Sequence, residues 1–149
     1  MPPKKLNDRA QRIIELCADT REKFTPDGET TYCNLAVREV CHSFAEYIGF
    51  GNMLANNMVL KMENSAEWAK VDAEAAKRLA DDGNLVIAAR RGNPHGHCCI
   101  VVPGRAMVTS GKWGEKVPFV SNVGKSNWVC GANYAFQFKP SYYVLIEDA

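Results

Sequence analysis

The chain has 149 residues, of which 46% are hydrophobic and 23% charged, and its formal net charge is +1. This length suits one domain that buries about two-thirds of its unfolded surface, and the composition is ordinary for a soluble globular protein. A charge so close to zero disfavours binding to nucleic acid through a strongly basic face. We therefore expect a single domain over residues 1–149, with no nucleic acid as a partner.

The N-terminus, Met1-Pro2-Pro3-Lys4-Lys5, leads into a charged helical pattern. No apolar run approaches the roughly 18 residues of a membrane span, so neither a signal peptide nor a span is predicted. We expect the protein to be made in the cytoplasm, where cysteines stay reduced. The predicted free thiols are Cys17, Cys33, Cys41, Cys98, Cys99 and Cys130.

The first half of the chain has the hydrophobic spacing of amphipathic helices. The strongest pattern runs from about Cys33 to Ile48, before two glycines, with Thr30 or Thr31 as its N-cap. Its apolar stripe consists of Cys33, Ala36, Val37, Val40, Cys41, Phe44, Tyr47 and Ile48. The other predicted helices run from Leu6 to about Phe24, from about Met53 to Met62, and from Ala66 to Ala80 behind a Ser65 cap.

The second half changes to short apolar runs separated by Gly, Pro and Asn, which is typical of strands. A turn at Pro103-Gly104-Arg105 is expected to join two of them as a hairpin. Helices followed by strands indicate the α+β class, with N-terminal helices packed on an antiparallel sheet. The predicted strands are Leu85–Ala89, Cys98–Val102, Ala106–Thr109, Val117–Val120 and Tyr142–Ile146.

Cys33 is the candidate nucleophile. It lies in the first turn of the strongest predicted helix, where the positive end of the helix dipole stabilises a thiolate. Cys41 shares the apolar stripe but lies two turns deeper, so it is expected to be structural, as is Cys17 in the first helix. Because Cys33 is also on the stripe, a purely structural role remains the alternative for it.

Three histidines compete for the role of general base. His97 begins a predicted strand, which holds an imidazole rigidly, and a glycine precedes it. His95 lies on a predicted loop, and His42 lies about 180° around the helix from Cys33 at 100° per residue. We therefore expect His97 to be the base, with Cys99 on the same side of the strand at the bottom of the cleft.

A Cys-His pair usually has a third polar group that fixes the imidazole tautomer. Asn122, at the end of a predicted strand, can accept a hydrogen bond from the ring; the alternatives are Ser121, Asn127 and Asn133. The backbone N–H of Cys33 is the expected oxyanion donor, and the Tyr32 hydroxyl is a second candidate. No Cys-x-x-Cys pair occurs and Cys98 and Cys99 are adjacent, which disfavours a metal site, and no cofactor is expected.

Three segments resemble the NlpC-type and CHAP branch of the papain-like superfamily of cysteine peptidases and amidases. They are Thr31-Tyr32-Cys33-Asn34 with the helix that follows, Gly96-His97-Cys98-Cys99-Ile100-Val101-Val102-Pro103-Gly104, and Val120-Ser121-Asn122-Val123-Gly124. The resemblance spans roughly residues 31–127 and implies a papain-like core. It also implies Cys33 as nucleophile, His97 as base and Asn122 as the orienting residue. The chain departs from the family because Tyr32-Cys33-Asn34-Leu35 replaces its usual Asp-Cys-Ser-Gly-like motif.

The resemblance implies cleavage of amide bonds in cell-wall peptides, by an endopeptidase or an N-acetylmuramoyl-L-alanine amidase. Peptide or peptidoglycan is then the expected substrate, reached through delivery to the cell wall without a signal peptide; a delivery or immunity partner remains unidentified. Two other classes stay open. One is a thiol deamidase or acyltransferase using the same Cys-His pair, and the other is a non-catalytic binding module on a degenerate scaffold.

Overall fold

The structure, a computed structural model, describes residues 5–45 and 48–147. The predicted stripe residue Tyr47 and the N-terminal Met1 to Lys4 lie outside the described residues. The elements in chain order are α1 (Asp8–Lys23), α2 (Cys33–His42), α3 (Ala55–Glu63), β1 (Trp68–Val71), α4 (Ala73–Asp81), β2 (Val86–Arg90), β3 (His97–Val101), β4 (Val108–Ser110), β5 (Glu115–Val117), β6 (Phe119–Asn122), β7 (Trp128–Gly131), α5 (Ala132–Ala135) and β8 (Ser141–Leu145).

The main sheet has six strands in the order β1-β8-β2-β3-β6-β7, and each neighbouring pair is antiparallel. Strands β4 and β5 form a separate two-stranded antiparallel ribbon. The α+β class, with helices packed on an antiparallel sheet, is thus confirmed. Strand β3, which begins with the candidate base, lies between β2 and β6 in the sheet.

Structural elements cover both faces of the main sheet. Helix α1 contacts β6, α2 contacts β3 and α3 contacts β2, and the three helices share one apolar core on this face. Helices α4 and α5 and strand β5 contribute to a second core on the opposite face. Strand β2 is therefore buried on both sides, which explains why this segment of the sequence is continuously apolar instead of alternating.

The predicted helix over Ala66–Ala80 is wrong in its first part. Residues Trp68–Val71 form the edge strand β1 and pair with β8. The helix begins only at Ala73, because the Asp72 side chain accepts a hydrogen bond from the N–H of Ala75 at 2.8 Å and caps it. Aspartate strongly favours the N-cap, so Asp72 was the available sequence signal.

The turn at Pro103–Gly104 does not form the predicted hairpin. Strand β3 pairs with β2 and β6, whereas β4 pairs with β5, so the turn connects two different sheets. The Gly104 N–H donates to Asp81 Oδ1 at 2.7 Å, and its φ of +84° favours glycine.

Other elements also differ from the predictions, in their ends or in their existence. The predicted run Val117–Val120 is interrupted at Pro118, where the chain leaves the ribbon and enters β6 of the main sheet. Helix α2 ends at His42, six residues before the predicted end at Ile48, and its N-cap is Tyr32, not Thr30 or Thr31. Strand β7 and the short helix α5 were not predicted, because their sequence lacks a clear period.

Candidate active site

Cys33 is the first residue of α2 and is partly exposed. No side chain among the described residues caps this helix N-terminus, and the first backbone bond runs from the Ala36 N–H to the Tyr32 carbonyl at 3.0 Å. The amides of the first turn therefore point towards the open end of the helix. This arrangement favours negative charge on the thiol and on any oxyanion that forms beside it.

His97 is the first residue of β3, and a loop over residues 91–96 leads into it. Asn56 of α3 anchors this loop, because its amide group accepts from the Gly92 N–H at 3.0 Å and donates to the Gly92 carbonyl at 2.9 Å. Gly96 fits there because it has no side chain: a Cβ atom would lie 2.3 Å from Asn56 Oδ1 and 2.6 Å from the Arg90 carbonyl. The backbone before His97 is thus held close to α3.

Asn122, the last residue of β6, contacts the imidazole of His97. The distance from His97 Nε2 to Asn122 Oδ1 is 2.6 Å, so the ring N–H donates to the amide oxygen. The Asn122 amide nitrogen donates to the Ser126 carbonyl at 2.8 Å, which fixes the orientation of the side chain. The Phe136 ring lies 5.1 Å from the His97 ring, centroid to centroid. Nε2 of His97 therefore carries a proton, and the bond to Asn122 fixes the orientation of the ring.

Cys33 and His97 are close enough to shift each other's pKa: His97 lowers that of the thiol, and Cys33 raises that of the imidazole. Because Asn122 occupies Nε2, we infer that Nδ1 is the ring nitrogen that faces the thiol. A hydrogen bond with Cys98 lowers the pKa of the Cys33 thiol most; burial opposes this, and the hydrogen bond and charge of His97 lower the pKa further. The net result is a pKa well below that of an ordinary thiol, as expected for a thiolate–imidazolium pair.

The neighbours of His97 favour its protonated form. Burial alone lowers the pKa of the imidazole, but charge interactions and hydrogen bonds with Cys99 and Cys33 outweigh this and raise the pKa well above the ordinary value. The Cys99 sulfur lies 3.4 Å from His97 Nε2, on the side of the strand predicted for it, and is fully buried. Cys99 thus lies beneath the imidazole.

The contribution of Cys98 could not be foreseen from strand alternation. Its side chain lies in the core beneath α1, α2 and α3, on the opposite face of β3 from Cys99. Because α2 packs over this face of β3, the Cys33 thiol reaches both the Cys98 side chain and the His97 ring at the end of the strand. The first turn of α2 therefore contacts the strand at its end, where both faces are accessible.

The other candidates for the third residue make different contacts. Ser121 Oγ accepts from Arg21 at 2.8 Å beneath α1, and Asn133 lies in α5, where its buried Oδ1 has no partner among the described residues. Asn127 donates to the carbonyls of Arg21 and Phe24 and accepts from the Gly124 N–H. Asn127 therefore ties the β6–β7 loop, which also orients Asn122, to the end of α1.

Tyr32 is the N-cap of α2 and its ring packs against Phe24, with centroids 6.3 Å apart. Tyr32 does not line either of the two clefts beside the Cys33–His97 pair. The Cys33 backbone N–H therefore lies at the uncapped end of α2, whereas the Tyr32 side chain lies outside both clefts. His95 is exposed and lines both clefts, whereas His42 lies at the far end of α2.

The two clefts lie on either side of the loop over residues 91–96. One, of about 470 Å³, is lined by Cys33 and by polar residues of α2, α3 and the preceding loop. The other, of about 390 Å³, is lined by His97, Phe136 and two arginines. His95 and Gly96 belong to both, so the clefts adjoin at this loop, with Cys33 lining one and His97 lining the other. The two residues are therefore accessible from different sides of the loop.

All six cysteines are free thiols. Across residues 5–45 and 48–147, no cluster of three or more His, Cys, Asp or Glu side chains is arranged to hold a metal ion. In the same residues no helix is long and apolar enough to cross a membrane. Comparison of the sequence with known protein families and with curated proteins gives no match.

Proposed function

We propose that the protein is a cysteine-dependent amide hydrolase with a papain-like core, in which Cys33 is the nucleophile, His97 the general acid and base, and Asn122 the orienting residue. The observation that carries the proposal is the position of His97. Its Nε2 is bound to Asn122 Oδ1 at 2.6 Å, and the same ring lies close enough to the Cys33 thiol to lower the pKa of that thiol. A third group that fixes the imidazole against a thiol is the arrangement that thiol acyl transfer needs.

The reaction has two steps. The Cys33 thiolate attacks the carbonyl carbon of an amide, and the negative oxygen that forms is stabilised by the first-turn amides of α2, including that of Cys33. His97 donates its Nδ1 proton to the nitrogen of the leaving amine as the C–N bond breaks, which leaves a thioester. His97 then takes a proton from water, the resulting nucleophile attacks the thioester, and release of the carboxylate restores the thiolate–imidazolium pair.

The proposed substrates are the peptides of peptidoglycan. The family resemblance of the three motifs supports this choice, and the polar lining of the clefts is compatible with it. The cleft beside Cys33 offers the side-chain amides of Asn34 and Asn57 and the hydroxyls of Thr30 and Thr31. These groups can bind the backbone and polar side chains of a short peptide.

Digestion of purified sacculi tests the proposal. The wild-type protein should release fragments with new amino and carboxyl termini, which mass spectrometry would locate at one type of amide bond. Cys33→Ala should release none, while Cys41→Ala, a buried cysteine of the same helix, should retain activity. Transfer of the acyl group to an added amine without hydrolysis would instead identify an acyltransferase. Sacculi left intact by a folded protein whose Cys33 is unreactive would contradict the proposal.

A further inference from the structure

The two clefts beside the catalytic pair have different roles in the proposed reaction, on which this inference depends. Cys33 lines only the 470 Å³ cleft, and His97 lines only the 390 Å³ cleft. The acyl group becomes bonded to Cys33, whereas the leaving nitrogen takes its proton from His97. The cleft lined by His97, here called the amine-side cleft, therefore receives the part of the substrate that leaves as the amine.

The amine-side cleft is cationic. Among the described residues, Arg90 and Arg91 line it and no acidic residue does. Of the same residues, the cleft beside Cys33 contains no lysine or arginine and one carboxylate, that of Glu29. Glu63 lines a separate depression together with Arg90 and Arg91, and there its Oε1 accepts from the Tyr143 hydroxyl at 3.0 Å. The charges of the two clefts therefore differ in sign along the path of the substrate.

Strand pairing places Arg90 next to the catalytic histidine. Arg90 of β2 is the register partner of His97 in β3, so the two side chains project from the same face of the sheet. Such directly opposed residues have Cβ atoms about 5 Å apart. The Arg90 guanidinium lies over the Phe138 ring at 5.2 Å and donates to the Lys139 carbonyl at 3.2 Å. These contacts hold the arginine in place and leave further N–H donors for an anion.

We propose that the amine-side cleft binds a carboxylate on the leaving-group part of the substrate, through Arg90 and Arg91. The preferred substrates are amides whose amine-side residue, or the residue after it, carries a free carboxylate at its C-terminus or on its side chain. The carboxylate must be this close to the scissile bond because Arg90 lies directly across the strand pair from His97. Guanidinium groups bind carboxylates in a planar, two-point geometry, which supplies specificity in addition to charge.

Alkylation of Cys33 by two matched probes tests the inference without a known substrate. Bromoacetyl-glycine carries a carboxylate, and bromoacetyl-glycinamide is its neutral counterpart; in both, the thiolate displaces bromide and forms a C–S bond. The wild-type protein should react about threefold to tenfold more efficiently with the carboxylate probe, since exposed charge pairs have modest effects. Arg90→Gln and Arg91→Gln should each reduce this preference, and the double variant should abolish it.

The matched control is Arg78→Gln, which removes the same charge from an exposed position in α4, outside the amine-side cleft. It should retain the preference for the carboxylate probe. Unchanged labelling of each variant by the neutral probe would show that the catalytic pair is intact. Rapid labelling of Cys33 with equal efficiency by both probes would overturn the inference and leave the hydrolase proposal standing. Slow labelling of Cys33 by both would overturn the hydrolase proposal and the inference with it.

Discussion

Each end of α2 has a cysteine, Cys33 in the first turn and Cys41 in the last, but only the first turn forms a candidate site. Cys33 begins the helix and lies near the His97 ring, which lowers the pKa of its thiol, while Cys41 and His42 occupy the last turn. Burial and the charge of Cys17 raise the pKa of the Cys41 thiol far above normal, whereas the contacts of Cys33 lower its pKa. The same residue type on the same stripe thus has opposite chemistry at the two ends.

Because both residues are cysteines, their positions in the helix account for this difference. Cys41 is fully buried beside other core residues, and the last turn of a helix presents carbonyl groups, which disfavour a thiolate. Cys33 has the amides of the first turn, an imidazole and a thiol around it. A reactive cysteine therefore needs an electropositive and accessible environment, and α2 provides one only at its beginning.

The largest expected effect separates the two histidines. His97→Ala should lower kcat/KM by about 10²–10⁴-fold, because it removes the general acid and base, while His42→Ala should retain most activity. Asn122→Ala should fall between them, because the imidazole remains but loses the bond that fixes its tautomer. The steady-state rate at which each variant releases fragments from sacculi would measure this order. Equal loss in His42→Ala and His97→Ala, with both variants folded by circular dichroism, would contradict it.

The second expected effect separates the two cysteines by their reaction with iodoacetamide. At pH 7 an ordinary thiol is only a few per cent thiolate, so full ionisation alone should make Cys33 roughly 30-fold faster. Cys41, buried and with a raised pKa, should react only when the protein opens. Peptide mapping by mass spectrometry after timed labelling would give both rates. Labelling of Cys41 before Cys33 would contradict the prediction that the first turn of α2 holds the reactive thiol.

The pH dependence of the same reaction follows from the directions of the two pKa shifts. The thiolate of Cys33 is lost as the pH falls through its lowered pKa, so the rate should remain high well below pH 8.5. The imidazolium of His97 is lost as the pH rises through its raised pKa, so kcat/KM should decline only well above pH 6.5. The thiolate–imidazolium pair is therefore expected across neutral pH.

A smaller effect is expected from Cys98, which makes the largest contribution to the low pKa of Cys33. Cys98→Ala should move the acid limb of Cys33 alkylation about one unit towards higher pH, because one hydrogen bond to the thiolate is lost. Cys130→Ala is the matched control, since Cys130 is a buried cysteine of the other core. An acid limb that stays in place in Cys98→Ala would show that His97 and the helix account for the shift.

The sequence allowed prediction of the helix that begins at Cys33 and of the strand that begins near His97, because each has a clear period and a clear boundary. It favoured Asn122 over Ser121, Asn127 and Asn133 without a geometric reason, since the contact with His97 depends on the pairing of β6 with β3. The role of Cys98 was also hidden, because strand alternation places its side chain away from His97. Such contacts arise from tertiary packing at the end of a strand, where alternation no longer separates the two faces.

The smallest expected effect concerns the loop that brings His97 to the first turn of α2. Gly96→Ala would place a Cβ atom 2.3 Å from Asn56 Oδ1 and 2.6 Å from the Arg90 carbonyl, so the loop or α3 must move. Such overpacking typically costs about 1–3 kcal/mol. Gly111→Ala is the matched control, because its Cβ would meet nothing within 4 Å. Chemical denaturation should show a lower free energy of unfolding for Gly96→Ala alone, together with slower alkylation of Cys33 as His97 moves away. Normal stability and normal alkylation in Gly96→Ala would mean that the close packing against Asn56 is not needed to position His97.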